Sequence, residues 1–216
     1  MVTAQRVWAK RGQRIALTAL LSSSLLIGGC SLNENPYESK TVKGDEQVQL
    51  IDSMRNKGSY EDARQRLTNT ARVIADRIVA AVPGQTWQFT QDPNVQNVNA
   101  NGLPCEQLTG DIAGRPISDS VDFGRPFAAD EFSKAADIVR QEAAQYGATE
   151  ESCLFNEDSK RDFNIQGNGY EFELMQSKAA ILDITGDCFL MQSVLDLPAG
   201  QLPPEPPIVP PTTPTR

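Results

Sequence analysis

The stretch DFNIQGNGYEFELMQ, Asp162 to Gln176, decides the fold. Tyr170, Phe172 and Leu174 fall on one side of an extended chain while Glu171 and Glu173 fall on the other, the two-residue period of a strand with one buried face. Residues 162–166 read as a partner strand, and Gly167-Asn168-Gly169 between them is the clearest hairpin turn in the chain. The same residues admit a second reading, as a calcium loop. Asp162, Asn164 and Gln166 would take positions one, three and five, Gly167 position six, and Glu173 the bidentate position twelve. Against it stand Gly169 where such loops bury an aliphatic residue, a neutral Gln166 at position five, and flanks that alternate instead of forming helices. Turning Glu173 inward to a metal would also interrupt the alternation from Tyr170 to Leu174. The hairpin is the reading taken, with no metal ligands assigned.

Further toward the C-terminus, residues 179–191 read as strand, and whether 170–191 is two strands or one bent strand broken near Gly186 stays open. Residues 152–156 supply another. Toward the N-terminus the period changes to that of a helix. Residues 45–55 carry Val48, Ile51 and Met54 at a spacing of three. Ser59-Tyr60-Glu61-Asp62 resembles a capping box and opens a helix with Tyr60, Ala63, Leu67, Thr70, Ile74, Ile78 and Ala81 on one side and Asp62 and Arg66 paired opposite, stopped by Pro83-Gly84. Residues 85–91 alternate about Trp87 and Phe89 as a strand. Residues 92–104, rich in Asn, Gly and Pro, read as a long loop, and 106–112 as a short helical turn. A helix near 130–146 carries Phe132, Ala135, Ile138, Val139, Ala143 and Tyr146, with Gly147 as its stop. The expected fold class is α+β: an antiparallel sheet of about four or five strands packed on one face by N-terminal and central helices.

The first 44 residues carry an address. Arg6, Lys10, Arg11 and Arg14 precede an uncharged run of 13 residues, Ile15 to Ile27, too short for the ~20 residues of a membrane span and suited to a secretory signal. Leu26-Ile27-Gly28-Gly29-Cys30 closes it and resembles the lipobox of bacterial lipoproteins, in which the cysteine thiol takes diacylglycerol and the signal is cut just before it. Residues 1–29 are therefore expected to be a signal peptide, Cys30 the lipidation site, 30–44 a flexible tether, 45–196 one domain, and 197–216, with eight of the 14 prolines, a disordered tail. The expected location is the extracytoplasmic face of the cell membrane, held by lipid. Cutting away the four basic residues of the signal takes the formal net charge from −8 to −12. So acidic a surface repels nucleic acid and anionic headgroups.

With Cys30 lipidated in an oxidising compartment, three thiols remain and one must be left over. Cys105 ends the long loop and Cys188 follows Thr185-Gly186-Asp187, so a bridge between them would pin that loop to the sheet. Cys153 is expected to stay free, buried as a small apolar group. The chain has no histidine, which removes Ser-His-Asp and Cys-His pairs and every imidazole metal ligand. Phosphate-cradling glycine loops are absent too, and the abundant carboxylates read first as an acidic surface. No catalytic residue and no cofactor is assigned. The expected activity is that of a non-catalytic binding or interaction module with an envelope protein as partner. A carrier of an apolar ligand such as a lipid is the alternative, and a carboxylate-based hydrolase the least favoured reading.

The signal ending in IGGC, the runs QLIDSMRNKGSYEDARQRLTNTAR, PGQTWQF, LFNEDSKRDFNIQGNGYEFEL and DITGDCFL, and the tail LDLPAGQLPPEPPI together resemble the LppA family of mycobacterial lipoproteins, over nearly the whole chain. The resemblance implies a membrane address through Cys30 and implies no activity.

Overall fold

Asp45 and Glu46 open α1 (Asp45–Met54), where acids favour the positive end of the helix dipole, and its Ile51 and Met54 are buried. One 3₁₀ turn (Arg55–Lys57) leads to α2 (Tyr60–Ala81), whose first turn is capped by Ser59 Oγ accepting from the Asp62 N–H at 3.1 Å. The chain continues through β1 (Trp87–Phe89), α3 (Pro93–Asn101), β2 (Leu103–Pro104), β3 (Ala113–Arg115) and β4 (Val121–Phe123) to α4 (Ala129–Ala143). There Glu131 accepts the Ala128 N–H at 2.8 Å, half of a capping box whose other half alanine cannot supply. Then come β5 (Glu150–Ser152), β6 (Asn156–Glu157), β7 (Lys160–Gly167), β8 (Tyr170–Gln176), β9 (Ala180–Thr185), β10 (Phe189–Leu190) and α5 (Gln192–Leu195). These elements come from a computed structural model that describes residues 40–157 and 160–204. The expected signal peptide, Cys30, the tether as far as Ser39 and the tail from Glu205 lie outside the described residues.

Seven strands form one antiparallel sheet in the order β1-β4-β9-β8-β7-β5, with β6 on the remaining stretch of β7. Alternation along β7, β8 and β9 sends Phe163, Ile165, Phe172, Leu174, Leu182 and Ile184 to one side. There they bury against Leu67, Ile74 and Ile78 of α2 and Phe132, Ala135 and Val139 of α4. The hairpin between β7 and β8 pairs Gly167 with Tyr170 across a two-residue loop, Asn168 and Gly169, with φ of 50° and 83°. Both values belong to the left-handed region that a twisted hairpin requires, which is why Asn-Gly stands there. A second sheet, β10-β3-β2, packs with α1 and α5 around Ile51, Met54, Leu108, Ile112, Leu190 and Val194.

The α+β class, with antiparallel strands packed by helices, is what the structure shows, but several elements differ from the sequence reading. The main sheet has seven strands and not four or five, because β4 and β6 are too short for alternation to register. Residues 92–104 are not all loop: Asp92 caps α3 by accepting the Asn94 N–H at 2.8 Å, with Pro93 in its first turn. Residues 106–112 form turns and no helix. The strand expected over 179–191 ends at Thr185, and Phe189–Leu190 joins the second sheet. Gly186 makes that exit feasible, since a Cβ there would meet the Pro116 ring at 2.9 Å and the Leu67 side chain at 3.0 Å. Residues 170–191 are thus two strands of the main sheet followed by a departure. Ala81 is exposed where it was expected on the buried stripe, and Arg66 lies over the Phe189 ring instead of pairing with Asp62.

Residues 197–204, expected to belong to the free tail, lie along α1. The Arg55 guanidinium donates to the carbonyls of Leu197 and Pro198 at 2.9 and 3.2 Å, and Asp52 accepts the Gly200 N–H at 3.1 Å. Arg55, and then that N–H, hold the Asp52 carboxyl below the usual carboxylate range.

Candidate functional site

The long helices α2 and α4 pack against one side of the main sheet. On the other side the same alternation places Lys160, Asp162, Asn164 and Gln166 of β7 beside Glu171, Glu173 and Met175 of β8, then Ile181 and Asp183 of β9, with Asp122 of β4 paired to Ile181. With Glu150 of β5 opposite Gln166 and Glu157 of β6 opposite Lys160, seven carboxylates share this face with one amine, on strands where like charges directly opposite destabilise. Glu173 pairs directly with Asp183 on one neighbour and with Asn164 on the other.

Neighbouring dipoles offset part of this repulsion. Ser120 donates to the Asp183 carboxylate and itself accepts from Asn99 Nδ2 at 2.8 Å. Asn164 Nδ2 donates to Glu171 at 2.5 Å. Asp183 is pushed above the usual carboxylate range, first by burial and then by Asp122, with the Ser120 hydroxyl pulling the other way. Glu173 is raised by burial and then by the charges of Glu171, Asp183 and Asp162, all of them negative. A carboxyl whose folded pKa is raised carries no cost below the usual carboxylate range and an increasing cost as pH rises through its folded value. Glu173→Gln should therefore raise the melting temperature at neutral pH, and the gain should fade on acidification. Glu131 has the opposite sign, because the Arg125 guanidinium, then the Ala128 N–H, hold it down at about 2. Its stabilisation is present above the usual range and lost as pH falls toward about 2. Glu131→Gln should lower the melting temperature at neutral pH, modestly because the pair is only partly buried and solvent screens it, with the difference closing in acid. Thermal melts of both variants across the acid range check both signs.

At the β6 end of this face lies a groove of about 280 Å³. Asp162 builds its wall by accepting the backbone N–H groups of Leu154 and Phe155 at 2.9 and 2.5 Å, which holds Leu154 82% exposed and Phe155 37% exposed. Met175, 38% exposed, and Ile181 form the floor, with Glu173 beside them. Lys160 Nζ stands 3.2 Å from the centroid of the Phe155 ring, a cation–π contact.

Of the residues singled out from sequence, the structure brings together Cys105 and Cys188. Their sulfurs are bonded, with Cα atoms 5.8 Å apart, just beyond β2 and just before β10 in the smaller sheet. Cys153 is free and exposed, not buried as expected: it sits where the chain leaves β5, with Sγ 3.2 Å from the Phe155 carbonyl. The residues weighed as calcium ligands are spread along two extended strands instead of converging. Asp162, Asn164 and Gln166 follow one another on β7, and Glu173 faces Asn164 from β8. Asp122, Asp183, Leu154 and Phe155 escaped the sequence reading, because only strand register and the Asp162 contacts bring them to this face.

Fold and face define a class: an antiparallel α+β domain with one side of its sheet packed by helices and the other presented. The chain belongs to the LppA family, described as a lipoprotein confined to pathogenic Mycobacterium, whose model matches residues 35–192. It is 64% identical over 204 residues to a Mycobacterium tuberculosis protein that carries the name lipoprotein LppA, covering 94% of this chain and 93% of that one. A second protein of that organism, named as lipoprotein LppB, is 61% identical over 207 residues, covering 95% and 94%. The crystal structure of the Mycobacterium tuberculosis lipoprotein LppA superposes with a TM-score of 0.73 at 67% identity, over 74% of this chain and 94% of that one. Among the described residues, no helix is long and apolar enough to cross a membrane.

Proposed function

We propose that this lipoprotein is a non-catalytic interaction module, anchored through lipid on Cys30 at the extracytoplasmic face of the membrane, whose open sheet face docks a protein of the envelope. The observation that supports this reading is the contrast between the two sides of one sheet. One side is sealed by α2 and α4, while the other carries seven carboxylates and an apolar groove. No observation favours the alternatives. A lipid carrier needs an apolar cavity between sheet and helices, and that space holds Leu67, Ile74, Ile78, Phe172, Leu182 and Ile184 at full burial. For a carboxylate hydrolase, the raised pKa values of Glu173 and Asp183 follow from burial and crowding, and Asp183 is engaged by Ser120.

Photo-crosslinking in intact cells tests the proposal. Benzoylphenylalanine in place of Thr185, on the open face, should give a protein adduct, while the same residue in place of exposed Gln65 on α2 should not. The proposal is overturned by an unreactive position 185 together with a lipid retained in native mass spectra of protein purified from its own envelope.

A further inference from the structure

We infer that the groove between Leu154, Phe155, Met175 and Ile181 is the receptor for an arginine or lysine side chain of the docked protein. This rests on the open-face docking proposed above and names the group that the face recognises. The groove's chemistry divides along its length as such a side chain does. Leu154, Phe155 and Met175 offer apolar surface to a methylene stem, and Glu173 offers a carboxylate to the charged head. Charge complementarity excludes the other occupants. A second copy of this chain would bring its own row of carboxylates against Asp122, Glu171, Glu173 and Asp183, and an anionic headgroup would meet the same field. A neutral apolar ligand would leave Glu173 desolvated among Glu171, Asp183 and Asp162, whereas an incoming cation relieves that crowding.

The chain already shows that this surface accepts a cation, since the Lys160 ammonium lies on the Phe155 ring at 3.2 Å. Lys160 and Asp162 follow one another on the same side of β7, and Asp162 is committed to the backbone of Leu154 and Phe155. Glu173 is therefore the carboxylate left to meet a partner's charge, and Asp162 is a positioning residue that keeps the apolar wall upright.

The test uses the full lipidated protein in phosphatidylcholine nanodiscs, with a fluorescent peptide of Arg-Leu-Arg core and its twin in which citrulline replaces each arginine. The arginine peptide should raise the anisotropy and the citrulline twin should not. Glu173→Gln should weaken binding by about tenfold and Leu154→Ser by several-fold, while Glu46→Gln, an acid on the distant α1, should change nothing. Equal binding of the two peptides, or equal losses from Glu46→Gln and Glu173→Gln, overturns the inference by reducing it to non-specific attraction. Displacement of the peptide by millimolar Ca²⁺, with a melting shift abolished by Asp162→Ala or Glu173→Ala, also overturns it and makes the groove a metal site. If Glu173→Gln and Leu154→Ser leave the adduct at position 185 intact and peptide binding unaltered, the groove assignment fails while the docking face stands.

Discussion

Cys105→Ser and Cys188→Ser should each lower the melting temperature by on the order of 10 °C, by similar amounts, while Cys153→Ser leaves it nearly unchanged. The two partners are separated by 83 residues of sequence. In the chain-entropy account, opening a loop that long returns about 4 to 5 kcal/mol of freedom to the unfolded state, a figure that native strain trims. The location sharpens the expectation. The bridge joins the chain after β2 to the chain before β10, and β2, β3 and β10 have only two or three residues each. Ladders so short contribute little by themselves, so the small core of Ile51, Met54, Leu108, Ile112, Leu190 and Val194 depends on the crosslink to stay assembled. Cys153, exposed and donating to the Phe155 carbonyl and the Asp162 carboxylate nearby, has no such role. Calorimetry of the full chain measures the three shifts, and peptide mapping without reduction identifies the bridge. A linked peptide containing Cys153 refutes the pairing.

What could be read from sequence divides along the range of the interactions that cause it. The hairpin at Gly167-Asn168-Gly169 and the helices α2 and α4 are specified within a few residues by turn chemistry, caps and period, and they stand where the pattern puts them. The third helix was locally encoded but easily missed. Its face has only Val95 and Val98, the latter largely exposed, and its stability comes from the Asp92 cap, Pro93 and a hydrogen bond from Asn99 to Ser120. A capping Asp followed by Pro, with Gly102 nine residues on, was the available signal. β4 could not be read at all: three residues carry no period, and Val121 and Phe123 become strand only because β1 and β9 flank them.

The candidate site lies at the far end of this range. Alternation alone turned Glu171 and Glu173 away from the core. That Asp183 stands opposite Glu173, and Asp122 one strand further, is a fact of register that depends on a connection no local rule predicts. The groove adds a second long-range step, since Leu154 and Phe155 reach the face only because Asp162, on another strand, gathers their N–H groups. The tail shows the same limit in reverse. Composition assigns everything from Leu197 on to free chain, whereas one guanidinium just after α1, that of Arg55, holds the carbonyls of Leu197 and Pro198.

The anchor carries the other large expected effect. Cys30→Ala should move the protein entirely out of the lipid-labelled membrane fraction, leaving uncleaved precursor or soluble protein, because the proposed attachment resides in one thioether-linked diacylglycerol and nothing else described here replaces it. Among its described residues the remaining chain shows no second hold on a bilayer. Its formal charge without the signal is −12, so an anionic leaflet repels it, and among the described residues no helix is long and apolar enough to cross. Two acyl chains, at about 0.8 kcal/mol per buried methylene, hold durably where a single chain does not, so acyl labelling should switch between all and none, while any uncleaved precursor keeps its apolar run Ile15 to Ile27. Fractionation after labelling with palmitate measures it. The Cys30→Ser variant should behave like Cys30→Ala, since a hydroxyl at that position cannot stand in for the thiol that is alkylated. Acyl label persisting in either variant would sink the assignment of Cys30, and with it the expected orientation of the acidic face toward partners outside the membrane.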